Sequence, residues 1–330
     1  MANKELLNFT SKMLQPNILP RIEEYVEKRT SSAPLIVELD PTTACNFQCP
    51  ECISADLLNK GGIDDERLMR LIDEFHDVGV KGIIFIGGGE PLAHKLMPEP
   101  IVKAHDLGIS VGLTTNGSLI NRHLDEIAEC VQWTRVSVDA GTSDTFSRIR
   151  PSHIPSSFSK VTGNIESLAK VKKGLLGYSF LLIERSSSGE YFTNTQELFA
   201  AAKLAKNLGC DYFEYKPAVD MKHNLIPLSD NLKTTLQNQI PLMEALNTDQ
   251  FQVISPKSID YLLSSKSPDQ PKAYETCPSV ELRTVVTPKG IYPCPYKRGY
   301  EHQKLGTIET NFKEHWISSE RIDKARSVNP

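Results

Sequence analysis

The run Cys45-Asn-Phe-Gln-Cys49-Pro-Glu-Cys52 places three cysteines within eight residues. Thiolates bind metals, and three so close cannot reach one ion or cluster from a regular helix or strand. A loop curled around the metal can present them together. Three ligands leave a tetrahedral or cubane site one partner short, and the vacant position is where chemistry can occur. A closed structural zinc site would need a fourth ligand. His76 and His94 are nearby, but neither sits at zinc-finger spacing. Cys130, Cys210, Cys277 and Cys294 bring the total to seven. An odd count without a signal peptide reads as metal chemistry in a reducing, cytoplasmic compartment, not as a disulfide framework. Cys130 falls on a helix and Cys210 leads a strand, the usual settings of buried structural thiols.

The elements that position these cysteines repeat along the chain. Residues 1–34 are polar and mildly helical, interrupted by Pro16 and Pro20. A short apolar run, 35–39, precedes the cysteines. Leu68, Leu71, Ile72, Phe75 and Val78 then recur at helical spacing, with Asp64 to cap the start and Gly79 to stop it. Strand 81–86 runs into Gly87-Gly88-Gly89-Glu90-Pro91, and strand 110–114 into Thr115-Asn116-Gly117. The face Leu124, Ile127, Ala128 and Val131 leads to strand 134–138 and Asp139. A strand near 177–183, a helix over 196–208 and a strand at 211–215 complete six units. Apolar strands alternating with helices imply an α/β fold of parallel βαβ units, and six units fit a partial (β/α)6 barrel better than a closed eight-unit one.

In such folds the loops at the strands' carboxyl ends carry the active site. The cysteines follow the first strand, the glycines and Glu90 the second, Asn116 the third, and Ser137 and Asp139 close the fourth. A glycine run lets a ligand approach the backbone closely. Glu90 offers an acceptor to an ammonium and Asp139 acceptors to a ribose. The pattern changes after Pro217. Residues 221–250 read as an irregular to helical linker. Residues 251–330 read as a small C-terminal domain with one hairpin, 282–286 and 291–292, around Pro288-Lys289-Gly290.

Composition sets the outer limits. A chain of 330 residues suggests about two domains, and 39% hydrophobic residues suffice for a sizeable core. No uncharged apolar run approaches the ~18 residues that cross a bilayer. Thirty-seven basic against 41 acidic residues, a net charge of -4, argue against a nucleic-acid partner.

These motifs together resemble the radical S-adenosylmethionine (radical SAM) superfamily over about residues 35–220, through Cys45, Cys49 and Cys52, Gly88-Gly89-Glu90-Pro91, Thr115-Asn116-Gly117 and Ser137-Val-Asp139. The resemblance implies a 4Fe–4S cluster on the three cysteines, with S-adenosylmethionine on the fourth iron. It also implies an external electron donor such as flavodoxin or ferredoxin. Reductive cleavage of the nucleotide would give a 5′-deoxyadenosyl radical that takes a hydrogen atom from substrate. Gly88, Gly89 and Glu90 would hold the methionine amino group. Ser137, Asp139 and Asn116 would line the ribose and methionyl region, and Arg150, in competition with Arg148, would face the carboxylate. The residue before the third cysteine is commonly aromatic in the family and contacts the adenine. Here it is Glu51, so that contact passes to Phe47 or to backbone, unless Phe47 only packs.

The C-terminal region is similar to SPASM/twitch extensions, which bind auxiliary iron–sulfur clusters. Cys277 and Cys294 flank the hairpin, and Leu305-Gly306-Thr-Ile308 follows with Phe312, Glu314 and Trp316. Those domains use a further cysteine, which is absent before Pro330. Three readings stay open: ligands beyond Pro330, a substitute such as His302 or a substrate atom, or a cluster-free lid whose cysteine donates a hydrogen atom. Glu184 and Arg185 follow the fifth strand, and Lys216 and Asp220 the sixth; Glu184, Lys216 and Asp220 are the candidate proton acceptors or anchors. The short stretch before residue 35 favours a small natural product (a sugar, aminocyclitol or nucleoside) over a ribosomally made peptide. A non-catalytic iron–sulfur or zinc protein is the rival of a different class.

Overall fold

The computed structural model describes residues 15–187, 190–219, 225–264 and 276–328. Its strands are β1 (Ile36–Leu39), β2 (Gly82–Phe85), β3 (Ser110–Thr115), β4 (Trp133–Ser137), β5 (Leu175–Leu182), β6 (Glu184–Ser187), β7 (Glu190–Thr193), β8 (Tyr212–Pro217), β9 (Gln252–Ile254), β10 (Arg283–Thr287) and β11 (Gly290–Tyr292). Nine of them form one sheet in the order β11-β10-β1-β2-β3-β4-β5-β8-β9, parallel throughout except for the β10–β11 hairpin. The six strands expected from the sequence are its centre, and the barrel is not closed.

Local chemistry explains the crossovers. The Asp65–Asp77 helix begins where the Asp64 carboxylate accepts the Glu66 and Arg67 N–H groups at 3.0 and 3.3 Å. It ends at Gly79, whose φ of +84° favours glycine. Leu68, Leu71, Ile72 and Phe75 lie fully buried on its sheet-facing side. Burying both faces of the sheet aligns the carboxyl ends of β1–β5 and β8 at one rim.

Two features differ from the sequence reading. The segments on either side of the expected boundary at 220–250 share the one sheet. β9 extends it beside β8, and β10 pairs with β1, placing Ile36 opposite Arg283 and Leu39 opposite Val286. An unpaired β1 edge would leave a row of backbone donors and acceptors bare, and β10 covers it. The C-terminal segment then ties back to the start of the chain. Trp316 Nε1 donates to Ser31 O at 2.9 Å, and Glu281, held in a buried ion pair by Arg321 at 2.7 Å, accepts from Ser31 N at 3.1 Å. The second difference is the β6–β7 hairpin, which lies between the expected fifth strand and the helix that follows and has no counterpart in the sequence reading. Buried Asn194 sets its base by accepting from Ile183 N at 2.9 Å and donating to Asp139 O and Leu181 O at 2.8 Å each.

Candidate active site

At the carboxyl rim the barrel opens into a cavity of about 480 Å³. Cys45, Cys49, Cys52 and Phe47 form one wall, and Gly88, Gly89, Glu90 and Asn116 the next. Ser137, Asp139 and Arg150 follow, and Lys216 of β8 lines the cavity as well. Thus most residues singled out by type and spacing meet in one place.

The cysteine loop is closed on itself. Thr43 N donates to Gly61 O, Asn59 N to Thr43 O, and Asn59 Oδ1 accepts from Cys45 N, at 2.8–3.1 Å. It is stitched to the neighbouring loops by short bonds. Glu90 N donates to Ala44 O at 2.8 Å, and the Gly89 backbone lies so close to Thr43 and Ala44 that only glycine fits. Glu90 is buried, accepting from Thr115 Oγ1 at 2.6 Å, Asn116 N at 2.7 Å and Leu92 N at 3.2 Å. Burial nevertheless holds its carboxyl above the usual range. The Asn116 amide donates to Asn46 Oδ1 at 2.8 Å, bracing the loop between Cys45 and Phe47. Phe47 is buried and meets Phe146 edge-on at 5.9 Å, so it packs the cavity wall.

Arg150 is the electrostatic hinge. Its guanidinium pairs with Asp139 and reaches Cys49 Sγ at 3.7 Å. The other Asp139 oxygen accepts from Leu181 N at 2.7 Å, so Asp139 is committed to holding Arg150 and β5. Burial raises the Cys45 and Cys49 thiols, the latter to about 11, with neighbouring anions and thiols adding to the shift and Arg150 opposing it.

The donor set fits a group that takes three protein ligands. His94 is spent on backbone, its Nε2 on Ile63 O at 2.8 Å and its Nδ1 on Leu96 N at 3.2 Å; His76 stands beside Asp77 at 3.4 Å. Neither histidine offers the fourth ligand a closed zinc site needs. Among the described residues no three His, Cys, Asp or Glu side chains converge on a single-ion site, the Cys45–Cys52 loop included.

Three expectations need correcting or lie elsewhere. Glu184 does not line the cavity. Its carboxylate accepts from Tyr191 OH at 2.6 Å and from Ser229 Oγ and N at 2.5 and 3.2 Å, tying the β6–β7 hairpin to the Asp230–Glu244 helix. Asp220 lies outside the described residues. Cys277 and Cys294 are half-buried and off the cavity wall, although Pro295 and Tyr296, next to Cys294, line it.

The structure adds residues that the motifs did not mark. Asp40, just after β1, accepts from Gly88 N at 3.0 Å and pairs with Arg298 from the C-terminal segment. Burial pushes the Asp40 carboxyl up to about 6 against the pull of that guanidinium. Glu38 of β1 pairs with Arg283 of β10, and Arg135 of β4 with Glu214 of β8 at 3.4 Å. A usable signal was present: Glu38 and Arg135 are charges inside short, otherwise uncharged strands, where charges rarely sit unless paired. Glu51, in place of the expected aromatic, pairs with Arg185 of β6.

Comparison with known proteins supplies the family. The model of the radical SAM superfamily matches residues 39–183, the stretch that carries the cysteine loop, the glycine loop and the ends of β3 and β4. Residues 39–183 are a radical SAM domain. It is 29% identical over 183 residues to the AdoMet-dependent heme synthase of Methanosarcina barkeri, covering 54% of this chain and 49% of that protein. It is 31% identical over 140 residues to the PqqA peptide cyclase of Bradyrhizobium diazoefficiens, covering 39% and 37%. The chain therefore spans half or less of the length of these curated relatives. Among solved structures, Streptococcus suis SuiB bound to S-adenosylmethionine superposes with a TM-score of 0.69 at 14% identity, covering 94% of this chain and 72% of that one. At that identity the likeness establishes the fold, a partial TIM-type barrel. Radical SAM proteins use a 4Fe–4S cluster and S-adenosylmethionine, and no helix among the described residues is long and apolar enough to cross a membrane.

Proposed function

We propose that this chain is an enzyme that reductively cleaves S-adenosylmethionine and removes a hydrogen atom from a substrate in the same cavity. The observation that carries this reading is the meeting of a three-cysteine loop, a glycine loop and the β3 and β4 ends around one cavity, whose described lining residues include no histidine to complete a metal site. Cys45, Cys49 and Cys52 would hold the cluster. Bound together, cluster and nucleotide supply the electron and the hydrogen-abstracting radical.

The chain's own residues bind and orient. Ligation takes the proton from each thiol, and Arg150 at 3.7 Å offsets the charge left on Cys49. Arg150, held by Asp139, would face the nucleotide's carboxylate and Glu90 its ammonium. Gly88 and Gly89 keep the backbone bare for close approach, and Asn116 and Ser137 line the ribose and methionyl region. Phe47, backed by Phe146, gives the cavity an apolar wall that would exclude water. Flavodoxin or ferredoxin would deliver electrons. Seven free thiols support a cytoplasmic setting.

For substrate we propose a small polar natural product, a sugar, aminocyclitol or nucleoside, undergoing dehydrogenation, epimerisation or elimination. The charged barrel interior supports this choice, and Lys216 is the candidate anchor or proton acceptor there. A peptide is the second reading, favoured by the likeness to a PqqA peptide cyclase and by exposed Ile53 and Tyr296 at the cavity rim. An auxiliary cluster on Cys277 and Cys294 would show as iron lost in Cys277→Ser beyond the first cluster. Anaerobically reconstituted protein given reductant and S-adenosylmethionine should release 5′-deoxyadenosine, and Cys49→Ala should abolish the release. Unchanged release in that variant, or colourless wild-type protein holding stoichiometric zinc, would overturn the proposal in favour of a non-catalytic metal protein.

A further inference from the structure

The cations on the cavity wall are not evenly matched. Arg150 has Asp139, Arg298 has Asp40 and Arg283 has Glu38. Arg135 and Lys216 share one carboxylate, Glu214, at 3.4 and 4.0 Å; the second distance is too long for a hydrogen bond. Among the described residues Lys216 is thus the cavity cation without a carboxylate of its own. Its side chain keeps about a third of its surface and lines the cavity, and burial followed by repulsion from Arg135 lowers its proton affinity. An ammonium so placed is stabilised by an acceptor arriving from the cavity.

Register adds the neighbours such an acceptor would meet. Lys216 stands opposite Leu181 on β5, Glu214 opposite Ser179, and Ser179 opposite Ser137 on β4. The row across the three strands is therefore Ser137, Ser179 and Glu214, with Arg135 two residues before it on β4 and Lys216 two residues after it on β8. Ser137, Ser179, Arg135 and Lys216 line the cavity, and Glu214 does not.

We infer that this β4–β5–β8 wall, centred on Lys216 with Arg135 behind it, is a substrate subsite for an anionic oxygen group, a carboxylate or a phosphate. The inference rests on the reading that the substrate occupies this cavity. It adds that the substrate is an acid or a phosphate ester, anchored on the wall that Lys216 provides, away from the glycine loop. Lys216 contributes a point charge with rotatable donors, Arg135 fixes the depth of the group, and the Ser179 hydroxyl sets its orientation.

The test uses reconstituted protein saturated with S-adenosylmethionine and two probes, inorganic pyrophosphate and succinate, followed by calorimetry. One probe should bind with a dissociation constant below about 10 mM and weaken with added salt. Which of the two binds more tightly separates the phosphate source from the carboxylate source. Lys216→Met, with iron content and thermal midpoint matching wild type, should lose about tenfold or more in probe affinity, and Lys216→Arg should restore most of it. Absence of binding by both probes in wild-type protein would overturn the inference even if Lys216→Met failed to fold. So would unchanged affinity in a folded Lys216→Met, or displacement of S-adenosylmethionine by the probe. Release of 5′-deoxyadenosine by wild-type protein is scored separately. Its absence would refute the proposed function, whereas its presence without probe binding would refute only the subsite.

Discussion

Two adjacent glycines should respond to the same substitution in opposite ways. A Cβ at Gly89 would stand 2.4 Å from Ala44 O, 2.5 Å from Thr43 C and 2.7 Å from Thr43 O, all rigid backbone. Ordinary contact begins near 3.4 Å, so in Gly89→Ala the glycine loop and the cysteine loop must part by about 1 Å. The Glu90 N to Ala44 O bond, 2.8 Å in the wild type, would then stretch beyond hydrogen-bonding range. Losing that bond costs about 1 kcal/mol and the crowding about 1–3 kcal/mol more. A misplacement of ~1 Å between reacting parts lowers turnover about 100-fold. At Gly88 the nearest atoms to a new Cβ are Asp40 Oδ2 at 3.5 Å and Arg298 Cδ at 3.7 Å, which is ordinary contact. Gly88→Ala should keep wild-type iron content and thermal midpoint. The assays are iron counting, thermal unfolding and 5′-deoxyadenosine release under reductant. If Gly89→Ala released the nucleoside within about threefold of wild type, the packing of the two loops would have no bearing on catalysis. Equal destabilisation by both substitutions would refute the reasoning as well.

Two further expectations follow from groups outside the cavity. Glu184→Gln keeps the cavity lining intact, so 5′-deoxyadenosine release should stay near wild type while stability falls by about 1 kcal/mol through the weakened Ser229 and Tyr191 bonds; a large loss of turnover at wild-type stability would restore Glu184 as a catalytic residue. Burial, then the charge of Arg321, lowers the His315 imidazole to about 4, so the unfolded chain binds the extra proton first as pH drops. Stability is therefore full above about pH 6.5 and drains away toward pH 4, by about 2 kcal/mol between pH 7 and 5. Urea midpoints at those two pH values should differ less in His315→Gln than in wild type, and an equal difference would contradict this.

Much of the site was legible because its order along the chain is its order in space. Parallel βα units bring every strand's carboxyl end to one rim, so Cys45, Glu90, Asn116 and Asp139 could be gathered without knowing the barrel's curvature. The Asp64 cap and the Gly79 stop were legible for a different reason: they depend only on neighbours a few residues away. What sequence did not reveal is long-range. Glu38 finds Arg283 and Asp40 finds Arg298 only because β10 adds to the β1 edge, a pairing across some 250 residues that no local pattern announces. Glu184 was misplaced for a related reason. Its position after β5 pointed to the mouth, but the hairpin it begins carries it away to Ser229. Glu51 marked a departure whose meaning needed Arg185, which the hairpin delivers.

The most direct measurement is electron paramagnetic resonance of the reduced, reconstituted protein during titration with S-adenosylmethionine. The account predicts a signal from a cluster held by Cys45, Cys49 and Cys52 that shifts and saturates as the nucleotide binds. A cluster signal that the nucleotide leaves unchanged, or protein that takes up zinc and shows no such signal, would contradict it.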